Sequence, residues 1–102
     1  VQLAQAFAAW VRADADWVVA APHPMSLVVF RWAPAGLDGE AADAATLRIL
    51  ERVNASGEAY LSHTRLDGRV VLRLAIGNLR TERRHVARAW ALLQAAARAE
   101  AA

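Results

Sequence analysis

The chain has 102 residues, of which 57% are hydrophobic and 22% charged, and it contains neither cysteine nor lysine. This length is typical of one domain with a modest core, and the missing residue types exclude disulfides, thiolate metal sites and an internal Schiff base. The sequence has twelve arginines and ten acidic residues, and the resulting formal net charge of only +2 gives weak support for nucleic-acid binding.

The first third of the chain predicts a helix followed by two strands. A helix is expected over residues 1–14, where apolar side chains recur at helical spacing: Leu3, Phe7, Trp10 and Val11. A β-prone run begins at Trp17 and ends before the Pro22-His23-Pro24 turn, in which two prolines exclude a helix. The clearest strand signal covers residues 26–32, which are rich in β-branched and aromatic side chains.

Two further helices are marked by their caps and apolar stripes. Asp38 is the predicted N-cap of the second helix, which ends between Asn54 and Gly57. Its predicted buried face carries Leu47, Leu50 and Val53. Thr81 is the predicted cap of a last helix over about residues 82–98. The apolar stripe of this helix consists of Val86, Trp90, Leu93 and Ala97.

A hairpin is predicted between the last two helices. Residues 59–66 and 69–76 are strand-like, and Asp67-Gly68 between them is a strong hairpin signal because both positions tolerate positive φ. The element order is therefore α-β-β-α-β-β-α. This order predicts an α+β fold in which an antiparallel sheet of about four strands has helices packed on one face.

The hairpin register predicts two different sheet faces, because side chains alternate along each strand. The face expected to lie under the helices carries Leu61, His63, Val70, Leu72, Leu74 and Ile76. The opposite, semi-polar face carries Tyr60, Ser62, Thr64, Val71, Arg73 and Ala75. Strand 26–32 is apolar on both faces, so we expect the second face to be covered too. The expected docking region lies around Val28, Phe30, Trp32 and Val71.

Few side chains indicate catalysis or metal binding. The sequence shows no paired carboxylates, no Gly-rich phosphate loop and no recognisable Ser-His-acid context. The three histidines, His23, His63 and His85, lack metal-ligand spacing. His63 is interpreted as a structural core histidine rather than a ligand. A solvated helix face is favoured over phosphate binding for the arginines at 80, 83, 84 and 88.

Arg73 is the least ordinary residue of the semi-polar face. An arginine in mid-strand, opposite Ser62, needs an anionic or hydrogen-bonding partner once the face is covered. A contact with an anionic group at a domain boundary and a structural salt bridge both remain open interpretations.

Several segments, in this order and spacing, carry a family resemblance. They are LERVNASG at 50–57, YLSHT at 60–64, LDGRVVLRLAIGN at 66–78 and HVARAW at 85–90, and SLVVFR at 26–31 matches the strand ahead of the second helix. The chain resembles the C-terminal small domain of group II pyridoxal-phosphate-dependent decarboxylases, the aromatic-L-amino-acid decarboxylase family, in its bacterial form. Residues 1–14 match the segment that leads out of the large domain.

The resemblance implies that residues 1–102 are one domain, the C-terminal fragment of a longer decarboxylase chain of fold type I. In that family the parent is a homodimer, its substrate is an amino acid, and the large domain holds pyridoxal phosphate. The fragment would contain no catalytic, metal-binding or cofactor-binding residue; it would dock on the large domain and help close the active site. Arg73 is carried over as active-site support. The other docking candidates are Ser62, Tyr60, Thr64, Val71 and Phe30.

Two other classes of function stay open. A nucleic-acid-binding module would present aromatic rings for base stacking on its bare sheet face, where the hairpin offers only Tyr60. A stand-alone sensor of a small ligand such as an amino acid would dimerise through its sheet. No apolar run approaches the ~20 residues of a membrane span and the N-terminus lacks a signal-peptide layout, so a cytoplasmic protein without membrane contact is expected.

Overall fold

The computed structural model describes residues 2–21, 27–57, 59, 61–75 and 82–101. Its elements are α1 (Gln2–Ala13), β1 (Trp17–Ala21), β2 (Leu27–Trp32), α2 (Gly39–Ala55), β3 (Ser62–Leu66), β4 (Arg69–Ala75) and α3 (Arg83–Ala101). The strands form one antiparallel sheet in the order β1-β2-β4-β3. Both the predicted element order and the α+β fold class are confirmed.

The local signals for α2 and the hairpin act as the sequence predicts. The Asp38 side chain accepts a hydrogen bond of 2.8 Å from the Ala41 N–H and so caps α2. Asp67 and Gly68 have φ values of 52° and 79°, which let β4 return directly alongside β3. The register pairs Leu66 with Arg69, as predicted. The predicted cap Thr81 lies outside the described residues.

The core lies between one face of the sheet and the three helices. Phe7 of α1 and Phe30 of β2 are fully buried, with ring centroids 5.2 Å apart in an edge-to-face arrangement. Trp17 of β1 meets Trp90 of α3 at 5.4 Å in a similar geometry. Apart from Trp32, the rest of the core is mainly aliphatic, and its fully buried members include Ile49, Leu72, Leu93, Val11 and Val28. Burial of this face therefore joins all three helices to the sheet.

The structure corrects the expected face of β2. Phe30 pairs with Leu72 and Val28 pairs with Leu74, so these side chains point towards the helices. Phe30 and Val28 are fully buried and Trp32 is 5% exposed. The expectation that Phe30, with Val28 and Trp32, belongs to the docking face is wrong. The β2 residues on the opposite face are Leu27, Val29 and Arg31.

His63 also differs from expectation. It pairs with Leu72, on the helix side of the sheet, as the hairpin register predicts. Its side chain is nevertheless exposed, because β3 is an edge strand and the helices pack mainly over the inner strands. The interpretation of His63 as a buried core histidine is therefore wrong.

Polar contacts fix α2 against its neighbours. The Asn54 side chain donates to the Leu61 carbonyl oxygen at 3.0 Å and accepts from the Leu61 N–H at 2.8 Å. Asp43 accepts from the Val70 N–H at 3.1 Å, which joins α2 to the start of β4. At the far end, Glu100 of α3 pairs with Arg48 at 2.6 Å and Arg52 at 3.3 Å. These contacts set the position of the hairpin relative to the helices.

Candidate docking face of the sheet

The sheet face opposite the helices is the main candidate site and is here called the open face. Among the described residues, no helix packs on it. Strand pairing assigns it the following members: Val18, Leu27, Val29, Arg31, Ser62, Thr64, Leu66, Arg69, Val71 and Arg73. It combines apolar side chains from the inner strands with polar and cationic ones. A face of this composition is neither a core nor a fully charged surface.

Four of the predicted site residues share this face. Arg73 and Ser62 lie opposite each other, and the Arg73 Nε donates a hydrogen bond of 3.1 Å to the Ser62 Oγ. Thr64 is the cross-strand partner of Val71. Val71 is only 1% exposed, whereas Thr64, Ser62 and Arg73 are exposed. Tyr60, the remaining candidate from the hairpin, lies outside the described residues.

Arg73 forms no salt bridge with any described residue. Its contact with Ser62 uses Nε, so the two terminal nitrogens of the guanidinium have no partner in the described part of the chain. Among the described residues, the salt-bridge interpretation of Arg73 therefore finds no acceptor. A guanidinium held by Nε alone presents its outer edge to whatever covers the sheet.

Arg31 is a second cation on the open face that the sequence reasoning missed. It is half-buried on β2, opposite Val18 of β1, and it has no hydrogen bond or ion pair with the described residues. Its signal in the sequence was the same as that of Arg73, because both are single arginines inside apolar strands. Arg69 shares the face by register, but its guanidinium turns back to Asp43 of α2, with a distance of 3.4 Å.

The groove between α1 and α3 does not assemble a catalytic group. It has a volume of about 570 Å³ and is lined by Trp10, Ala13, Asp14, Ala15, Ala87, Trp90 and Gln94. Its only ionisable lining residue is Asp14, which accepts a turn hydrogen bond from the Asp16 N–H at 3.0 Å. Among the residues that the structure places, no cluster of three or more histidines and acids could hold a metal ion. No described helix is long and apolar enough to cross a membrane.

The fold of this chain, a four-stranded antiparallel sheet with three helices on one face, matches the C-terminal part of solved pyridoxal-phosphate-dependent decarboxylases. A crystal structure of tryptophan decarboxylase from Oryza sativa, with pyridoxal phosphate and tryptamine, superposes with a TM-score of 0.88 at 38% identity. The match covers 94% of this chain and 21% of the rice chain. A 4-hydroxyphenylacetaldehyde synthase from Rhodiola rosea superposes with a TM-score of 0.90 at 33% identity over 97% of this chain.

Sequence comparison gives the same relationship. Tryptophan decarboxylase from Camptotheca acuminata is 38% identical over 95 residues, which are 92% of this chain and 19% of that protein. No family model matches the sequence. The homologues of this chain are thus aromatic amino-acid decarboxylases of the group II type, and the chain spans about one fifth of their length. The relatives named here are plant proteins, so the comparisons do not support the narrower expectation of a bacterial form.

This chain offers no covalent site for pyridoxal phosphate. A covalent site for its aldehyde needs a lysine amine, and the sequence has no lysine. The described open-face cations are spread along two strands and are not gathered at a helix N-terminus or a glycine-rich turn that could hold a phosphate. The described residues of the open face therefore do not form a phosphate site.

Proposed function

We propose that this chain is the C-terminal small domain of a pyridoxal-phosphate-dependent decarboxylase that acts on aromatic L-amino acids. The observation that carries this proposal is the match of 92% of the chain to 19% of the Camptotheca enzyme, at 38% identity. A piece that matches a fifth of its relatives and brings no catalytic cluster of its own among its described residues is a non-catalytic part of a larger enzyme.

The proposed role of the domain is to dock through the open face on the large domain and to help close the active site. Val18, Leu27 and Val29 provide apolar area on this face, and Arg73 with Ser62 provides directed polar groups. A partly apolar sheet face on which no described helix packs is typical of an interface within a larger chain.

The cofactor chemistry would belong to the rest of the parent chain. Pyridoxal phosphate, when bound, acts as an electron sink for the carbanion left when carbon dioxide departs. The lysine that holds it would come from the large domain, because this chain has none. The parent is proposed to be a homodimer, as the family resemblance implies.

The nature of the amino-acid substrate is proposed only as a class. The relatives include tryptophan decarboxylases and aldehyde synthases that match this domain about equally well, with TM-scores of 0.88 and 0.90. A domain shared so evenly by proteins with different products does not select between them. Substrate choice is therefore assigned to the remainder of the parent.

The nucleic-acid-binding alternative loses its main support in the structure. Base stacking needs aromatic rings on the exposed sheet. Every aromatic side chain of the described strands is instead in the core: Trp17, Phe30 and Trp32.

The test is made on the longest open reading frame that contains this sequence. We expect the encoded protein to bind pyridoxal phosphate and to release carbon dioxide from L-tryptophan, L-tyrosine or L-phenylalanine. In that protein, Arg73→Ala should lower kcat/KM about tenfold, which corresponds to about 1.4 kcal/mol of lost contact, at unchanged cofactor content. Arg98→Ala, on the exposed side of α3, is the matched control. A reading frame without a lysine-bearing large domain, or a protein without carbon dioxide release, would contradict the proposal.

A further inference from the structure

Charge is distributed very unevenly between the two sides of the sheet. Every acidic residue in the described part of the chain lies on a helix, at a helix start or in a turn: Asp14, Asp16, Asp38, Glu40, Asp43, Glu51, Asp67, Glu82 and Glu100. None lies on the open face. On the helix side, ion pairs join Glu100 to Arg48 and Arg52, and Glu82 to Arg84. On the open face, Arg69 reaches Asp43 of α2, whereas Arg31 and Arg73 have no acid partner among the described residues.

Arg31 and Arg73 lie on the two inner strands of this face, β2 and β4. Val29 lies opposite Arg73, and Arg31 follows two residues later on the same side of β2. The two arginines are therefore diagonal cross-strand neighbours, a separation of about 7–8 Å. Two cations at such neighbouring positions do not neutralise each other, and each guanidinium needs a carboxylate of its own.

The apolar residues around the pair define what else the partner must provide. Val18 lies opposite Arg31, and Val29 and Leu27 continue the apolar strip along β2. All three are half-buried even without a cover. Such a strip excludes water from the arginines once it is covered, which raises both the strength of each ion pair and the cost of leaving it unmade.

A second copy of the same face is a poor cover. In a two-fold pairing the same patch lies on both sides, so both sides of the contact would carry the two arginines. No described acid of the face could compensate their charges. The partner is therefore a different surface.

We propose that the surface docked on the open face belongs to the rest of the parent chain and carries carboxylates against Arg31 and Arg73, with an apolar patch over Val29. This inference rests on the proposed function for the identity of the partner. The pairing chemistry rests on the described residues alone. Apolar residues between the cations favour a protein surface over a phosphate backbone, which offers charge without apolar cover.

The absence of lysine makes the pairing directly testable. In the full parent chain, Arg31→Lys or Arg73→Lys places a single side-chain amine within residues 1–102 and keeps the positive charge. A zero-length carbodiimide reagent joins an amine only to a carboxylate in contact with it. Mass spectrometry of the digested protein then identifies the partner peptide. Arg98→Lys, on the exposed part of α3, is the matched control, and circular dichroism checks that all variants fold alike.

We expect cross-links from positions 31 and 73 to aspartates or glutamates outside residues 1–102, and none to that region from position 98. Loss of the cross-links at 1 M salt would follow from ion pairing. Cross-links only to acids of this domain or of a second copy, or no cross-link, would overturn the proposal. If the protein is retained on nucleic acid, Arg31→Glu abolishes that retention and no carboxylate cross-link forms, the open face binds phosphate and the proposed carboxylate pairing is wrong. The cross-linking readout does not depend on enzymatic activity. An active decarboxylase without these cross-links would therefore refute only the carboxylate pairing. A protein that forms the cross-links but is inactive would refute only the proposed function.

Discussion

Replacing Asn54 by alanine should destabilise the hairpin side of the domain more than its partial exposure suggests. The Asn54 side chain forms hydrogen bonds with both the N–H and the carbonyl oxygen of Leu61, as a neighbouring strand would. Leu61 is only 8% exposed, so water cannot easily replace these bonds. Loss of two hydrogen bonds at about 1 kcal/mol each, offset by about 0.5 kcal/mol of helix propensity gained by alanine, leaves a net loss of about 1.5 kcal/mol. For a domain of this size the melting temperature should fall by roughly 6–12 °C.

The assay is urea unfolding of the 102-residue chain, together with hydrogen exchange at the Leu61 amide. Glu51→Ala, at an exposed position of α2, controls for the change in helix propensity. The Leu61 amide should exchange faster in Asn54→Ala and at the wild-type rate in the control, because only the first variant frees its N–H. If the two variants unfold within about 0.5 kcal/mol of each other and Leu61 exchanges equally in both, the amide does not hold the entry to β3.

Four further substitutions test other parts of the fold by the same urea assay. Glu100→Gln should lower the free energy of unfolding by about 0.5–1 kcal/mol. Most of this difference should disappear in 1 M salt, because the carboxylate is 7% exposed but its arginine partners are 55% exposed and are therefore screened. A loss of stability that does not depend on salt would indicate packing instead. Gly68→Ala should cost about 1–2 kcal/mol through its φ of 79° alone, since the space around it is empty, and an unchanged midpoint would contradict this. Phe30→Ala should cost about 3–5 kcal/mol, whereas Val29→Ala should cost about 1 kcal/mol or less; equal losses would contradict the assignment of the two faces.

The sequence predicts well those features that short-range chemistry decides. Asp38 caps α2 because its carboxylate reaches an N–H three residues later, and Asp67-Gly68 sets the hairpin because both residues accept positive φ. Once that turn is fixed, pairing such as Ser62 with Arg73 follows from simple counting. The semi-polar face of β3 and β4 could therefore be derived without a structure.

The face of β2 could not be derived in the same way. Its two sides carry Val28, Phe30 and Trp32 on one and Leu27, Val29 and Arg31 on the other, and both sets are largely apolar. Only the pairing of Phe30 with Leu72 decides which set lies under the helices. Arg31 was the available signal, because a strand places its single charged side chain away from the core. The exposure of His63 likewise depends on the strand order, which leaves β3 at an edge.

The open face has an internal gradient that indicates how its cover is seated. Towards β1 and β2 its residues are apolar and half-buried, as at Val18 and Val29, whereas on β3 Ser62 and Thr64 are polar and exposed. Interfaces bury an apolar centre and leave a polar, wetter rim. The proposed contact is therefore centred over β2, with β3 at its margin. Arg73 lies on the boundary between these regions, where the Ser62 hydroxyl at the rim accepts the hydrogen bond from its Nε.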